Sequence, residues 1–348
     1  MEEKTSFSAK VAVIFVVLST IFLALGAEIV LRVVFYQLRG KETLALVETF
    51  KQINHKLSVY RASQAKFQHD VDYLTKLYSP EGSEVLSAFE KKYTENFAQL
   101  QKEVNEEGSK FLMVYIPSAE DSKLVNNTNN TFFHSLATSY GVEYLDLTDT
   151  FAEFATNTYT LLPENGHLSR FGNELVVEAL SPYIEKIQNY RSPVVRTERP
   201  ELLGDLNPKE DSLWVIDEEM PYRVRVNPQG LRMTEPVPVE KTNQRILFLG
   251  DSITFGPYMP NHDTIAGLLG KKYADKQVMN AGIAGYNIED ERALFEQRAR
   301  YTNPDMTILV VFDNDLYDFF YWKRNENARD RTARFPTPEE TKFLAATP

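Results

Sequence analysis

The chain has 348 residues, with 38 Lys and Arg against 49 Asp and Glu, a formal net charge of -11 and no cysteine. That length suits one medium catalytic domain with attachments, or two small domains. The acidic balance, with no basic stripe, argues against nucleic acid as a partner, and the lack of cysteine excludes a disulfide framework or a thiolate metal site.

Residues 1–10 form a tail carrying Lys4 and Lys10. Val11 to Ala27 is an unbroken run of apolar and small residues, continued by Ile29, Val30, Leu31, Val33, Val34 and Phe35. Roughly 20 such residues span a bilayer core, so 11–36 read as a transmembrane anchor of a single-pass membrane protein. A cleaved signal peptide is the alternative, with Ala24 and Gly26 marking its small-residue site. Basic residues on both sides leave the orientation open.

A helical segment is expected over 40–105. From Leu46 to Tyr78 the residues Phe50, Ile53, Leu57, Tyr60, Gln64, Phe67, Val71 and Leu74 recur four and three apart, with only Gln64 polar. That repeat is the seam of a coiled-coil stalk, which would pair two chains into a homodimer through residues 46–78. The other reading, which the aromatic residues in the seam favour slightly, is a helix packed on its own domain. Ser79-Pro80-Glu81-Gly82 ends it, and Leu86, Phe89, Tyr93, Phe97, Leu100 and Val104 line a second amphipathic helix.

Over 106–190, Lys110 to Pro117 and Glu143 to Leu147 read as strands, Asn126 to Thr131 as a loop, and Gly172 to Ile184 as a helix. The proline-rich, charged stretch 191–240 reads as a linker crossing the surface, with an extended piece at Tyr222 to Val226 and a turn at Asn227-Pro228-Gln229-Gly230. Over 241–348, strands at Arg245 to Gly250, Gln277 to Asn280 and Met306 to Phe312 alternate with helical segments. The pattern implies a parallel α/β sheet covered on both faces.

Gly250-Asp251-Ser252 closes a strand and opens a helix. A serine there can serve as a nucleophile beside free helix N–H groups, or simply cap the helix. The flanking residues bear on this choice. RILFLGDSITFG at 245–256, NAGIAGYN at 280–287, PDMTILVVFDNDLYD at 304–318 and PENGHLSRFGNELVVEAL at 163–180 together resemble the four blocks of the SGNH (GDSL-like) hydrolase family. NPQGLR at 227–232 also resembles a stretch that precedes the first block in membrane-anchored bacterial members.

The resemblance implies a three-layer α/β/α, flavodoxin-like fold with a five-stranded parallel sheet. It implies Ser252 as nucleophile, His167 as base and Glu164 as the orienting acid. The oxyanion hole is drawn from Ser252, Gly285 (Gly282 being second choice) and Asn314, with no cofactor or metal. The substrate class it implies is an O-acyl ester of a carbohydrate or lipid, outside the cytoplasmic membrane. Three departures stand out. Glutamate replaces the family's aspartate at 164, Phe312 and Asp313 replace its glycine and the residue after it, and the histidine block precedes the nucleophile instead of closing the chain. The last is expected if one domain has been circularly permuted; a fragment of a tandem protein is the alternative. Rival functions are an O-acyltransferase acting on an envelope polysaccharide and an inactive scaffold of the same fold.

Overall fold

The computed structural model describes residues 76–117, 128–162, 165–214 and 222–316, all within the compact unit Val71–Pro348. Its core is one sheet. Strands β1 (Lys110–Ile116), β2 (Glu143–Asp146), β7 (Gln244–Leu249), β8 (Lys276–Asn280) and β9 (Met306–Phe312) lie in the order β2-β1-β9-β7-β8, every pair parallel. Lys110 of β1 pairs with Met306 of β9, so the two strand groups, far apart in sequence, meet at the sheet's centre.

Helices cover both faces, as uninterrupted apolar strands require. Side chains alternate across a strand. Phe111, Met113, Tyr115, Leu247, Leu249, Leu309 and Val311 therefore face one layer, with α1 (Ser83–Glu106), α2 (Thr128–Ser139) and α8 (Ile288–Gln297). Leu112, Val114, Ile116, Ile246, Phe248, Ile308 and Val310 face the other, with α5 (Arg170–Lys186) and α7 (Ile265–Lys272). Short helices α3 (Thr148–Ala152), α4 (Thr156–Tyr159) and α6 (Ser252–Phe255) complete the set, with two hairpins: β3 (Thr160–Leu162) with β4 (Asn165–Leu168), and β5 (Asp211–Trp214) with β6 (Tyr222–Arg225).

The expectation of a single-pass membrane protein with its catalytic domain outside the cytoplasm is corrected. Among the described residues no helix is long and apolar enough to cross a membrane. The longest, α1, has 24 residues and buries the stripe of Phe89, Tyr93, Phe97, Leu100 and Val104 together with Glu103, with lysines and other glutamates between them. The apolar run at 11–36 lies outside the described residues, as does most of the 46–78 repeat. Two further expectations change. Asn129 and Asn130 are helical, not loop, because their side chains find partners: Tyr78 Oη donates to Asn129, and Asn130 Nδ2 donates to Asp146 Oδ2 at 2.7 Å. The 191–240 stretch is not only a surface crossing, since Leu203, Leu231 and Val237 are fully buried in the first core layer.

Candidate active site

β7 is flanked by β8 and β9, all parallel, so their carboxyl ends lie side by side at one edge of the sheet, where α/β folds place ligands. Three of the expected site segments begin there. After β7, Gly250 takes φ 147°, and a Cβ on it would stand 2.2 Å from Thr254 Oγ1, so only glycine allows this sharp strand-to-helix turn. Asp251 is the cap of α6: its Oδ1 accepts from the Ile253 N–H at 2.8 Å. Capping is thus not the job of Ser252, which is half-buried and first in the helix, with its hydroxyl 3.4 Å from Asp251 Oδ2.

That hydroxyl meets the histidine. His167 Nε2 lies 2.9 Å from Ser252 Oγ, although the two are 85 residues apart. His167 sits on β4, and the chain beyond it is pinned by Ser169. The Ser169 hydroxyl donates to Thr158 O at 2.9 Å and accepts from the Gly172 N–H at 3.1 Å, capping α5. Glu164 lies outside the described residues. So does the Asp313 side chain.

Of the two candidate glycines after β8, Gly282 has its N–H taken by Asn280 Oδ1 at 2.9 Å. A Cβ on it would meet Phe255 N at 2.5 Å, so Gly282 serves the close approach of two loops. Gly285, at φ 80°, is the remaining candidate donor. Asn314 lies in the 3₁₀ turn Asp313–Leu316 directly after β9, and its side chain hydrogen-bonds the Asp251 carboxyl. Phe312, where the sequence resemblance would expect glycine, is half-buried, with Cζ 3.6 Å from where a Cβ on Gly166 would stand, so its ring packs against the histidine hairpin.

Around Asp251 is a group of buried acids. Burial pushes the Asp251 carboxyl up, opposed by hydrogen bonds from Ile253, Asn314 and Ser252. Glu291, in the first turn of α8, is pushed up further by burial and then by the charges of Asp251 and Asp290, and its Oε1 has no hydrogen-bond partner among the described residues. Glu291 therefore holds its proton to higher pH than an ordinary carboxyl does. The consequence for stability has a definite sign. At low pH folded and unfolded chains both hold this proton. As pH rises through the ordinary carboxylate range only the unfolded chain releases it, so stability falls until pH passes the raised folded value. Glu291→Gln is expected to raise the thermal midpoint by several degrees at neutral pH and hardly at pH 4; an equal gain at both pH values refutes the assignment.

Sequence reasoning missed two residues around the site. Arg232 is buried, its pKa lowered to about 10 by desolvation. Its Nη1 donates to the carbonyls of Phe255 at 2.5 Å and Gly256 at 2.7 Å, and its Nη2 to that of Met259 at 2.6 Å. Between those carbonyls lies Tyr258, at φ 63°, with its ring beside His167. The NPQGLR turn was the available signal for Arg232: Asn227 Oδ1 accepts from the Gln229 and Leu231 N–H groups at 3.0 Å, directing Leu231 into the core and Arg232 under the nucleophile turn. Among the described residues no group of three His, Asp or Glu side chains is placed to hold a metal ion.

No family model and no curated protein matches the sequence. Solved structures do. The O-acetyltransferase domain of Pseudomonas putida AlgJ is 13% identical, with a TM-score of 0.44 over 69% of this chain and 87% of that one. Bacillus cereus PatB1 is 12% identical, with a TM-score of 0.38 over 66% and 90%. Pseudomonas aeruginosa AlgX is 16% identical, with a TM-score of 0.34 over 64% and 57%.

Proposed function

We propose that the protein is an SGNH-type acyl-transfer enzyme that hydrolyses O-acyl esters, O-acetyl above all, of a carbohydrate or lipid. The observation that carries this reading is the 2.9 Å contact between His167 Nε2 and Ser252 Oγ at the carboxyl edge of a parallel sheet. His167 takes the hydroxyl proton as Ser252 Oγ bonds to the ester carbonyl carbon. The carbonyl oxygen becomes an oxyanion, held by the N–H groups of Ser252 and Gly285 and the amide of Asn314. The tetrahedral intermediate collapses, His167 returns the proton to the departing alkoxide, and an acyl-serine remains. Water, losing its proton to His167, then releases the acid and restores Ser252. Glu164 orients His167, by its place three residues before it, and a glutamate can fill that role.

We read the order of the blocks as a circular permutation of one domain. The single sheet, with β1 against β9, supports this over a tandem fragment, because neither strand group alone would cover its edge. A second reading is transfer of the acyl group to a sugar hydroxyl.

Labelling with a fluorophosphonate, followed by mass mapping of the modified peptide, tests the common core. Modification at Ser252, lost on mild denaturation, is expected; no labelling of the folded protein would leave an inactive scaffold. Release of free acid from a donor ester, compared with and without an oligosaccharide acceptor, then separates hydrolysis from transfer.

A further inference from the structure

Tyr258 holds a conformation that its own chemistry disfavours. Its φ of 63° lies in the left-handed region, where a bulky side chain is an outlier and glycine or asparagine is the usual occupant. Such strain persists only where surrounding contacts over-determine it, and these positions gather at functional sites. The contacts are present on both sides. Arg232 binds the carbonyls of Gly256 and Met259, which bracket Tyr258. Asn173 Nδ2 donates to Met259 Sδ at 3.0 Å and to Asp263 O at 2.9 Å, fixing the far end of the loop to α5. What the strain achieves is the placement of one ring. The Tyr258 centroid lies 5.9 Å from that of His167 in an edge-to-face arrangement, and 6.0 Å from that of Tyr222 on β6.

We propose that Tyr258 is a positioning residue: the Arg232 and Asn173 contacts hold it in the left-handed conformation so that its ring braces the His167 imidazole against Ser252. This rests on the acyl-transfer reading for its kinetic consequence, not for its geometry. β4, which carries His167, is a four-residue strand that pairs with β3 among the described residues, and the Tyr258 ring stands beside the imidazole it presents. A ring wedged between Tyr222 and His167 closes off the rotations that would break the 2.9 Å contact. The position must then prefer an aromatic ring over the residue its backbone would choose.

Substitution separates ring from backbone. Tyr258→Asn removes the brace and supplies a residue that accepts φ near 60°, whereas Tyr258→Phe keeps the ring. The thermal midpoint of Tyr258→Asn is expected to stay at the wild-type value or rise. Its kcat for a short-chain ester is expected to fall about 10- to 100-fold, the usual range for a misplaced catalytic group, with KM changed much less. Tyr258→Phe should restore kcat to within about threefold of wild type. A Tyr258→Asn enzyme with wild-type kcat, or one whose activity falls only as its folded fraction falls, overturns the proposal. A crystal structure of Tyr258→Asn supplies a reading that needs no substrate. His167 Nε2 should leave hydrogen-bond range of Ser252 Oγ, and retention of the contact overturns the brace even if the wild-type protein proves to have no esterase activity.

Discussion

Ser252→Ala is expected to lower ester turnover roughly a million-fold, and His167→Ala by a similar factor, because the two act as one unit and either loss removes the activated nucleophile. The double variant should be hardly worse than either single one, which distinguishes a shared step from two independent contributions. Asn314→Ala should cost about 100- to 1,000-fold, the loss that follows removal of one oxyanion donor. That figure carries a further expectation. Because the Asn314 side chain is bonded to the Asp251 carboxyl, Asn314→Ala also removes one of the interactions that lower the Asp251 pKa, which burial already raises. The variant's Asp251 is therefore expected to hold its proton to higher pH than wild type. A pH profile of residual activity, with thermal midpoints alongside, checks this. Short-ester hydrolysis by Ser252→Ala at the wild-type rate would remove the proposed mechanism altogether.

Legibility of the fold followed from chemistry. β1, β7 and β9 were visible because a strand buried on both faces must be apolar at nearly every position, and Phe111 to Ile116, Ile246 to Leu249 and Met306 to Val311 are. The meeting of Ser252 with His167 was accessible only through resemblance, since no periodicity in either segment states that they meet. The left-handed Tyr258 was not legible. Glycine at such a position announces itself, but a tyrosine there is imposed by Arg232 from another part of the chain, and local propensity argues against it. The core role of the 191–240 stretch was hidden by its composition. Its prolines and charges are genuine, yet Leu203, Leu231 and Val237 fall in no helical or strand period, and only the tertiary fold buries them. Arg245 was hidden likewise. A buried arginine at a strand start reads as an exposed end, but its Nη1 donates to Thr302 O at 2.8 Å and its Nη2 to Pro238 O at 2.7 Å.

Asp305→Ala is expected to be the most destabilising single change at the end of the sheet opposite the active site, costing about 3–5 kcal/mol, as removal of one partner from a buried ion pair does. Asp305 is fully buried and holds three donors. Its Oδ1 accepts from the Ser192 N–H at 2.6 Å and from Lys241 Nζ at 2.7 Å, and its Oδ2 from the Arg245 N–H at 2.8 Å. One carboxylate thereby fastens both ends of the 191–240 connection to the starts of β7 and β9. Lys241 is nearly buried too, and desolvation lowers its pKa while the bond to Asp305 opposes that. Truncating Asp305 leaves an ammonium group in the interior without its carboxylate, and that stranded charge accounts for much of the expected loss. The test follows from this cause. Asp305→Ala with Lys241→Ala should be more stable than Asp305→Ala alone, because the second change removes the stranded cation. Thermal or urea unfolding of the two single variants and the double measures the coupling, and a double variant less stable than Asp305→Ala would show that the carboxylate serves mainly the backbone N–H groups. Activity per folded molecule should be unchanged throughout, since these residues stand at the amino ends of strands whose carboxyl ends carry Ser252 and Asn314.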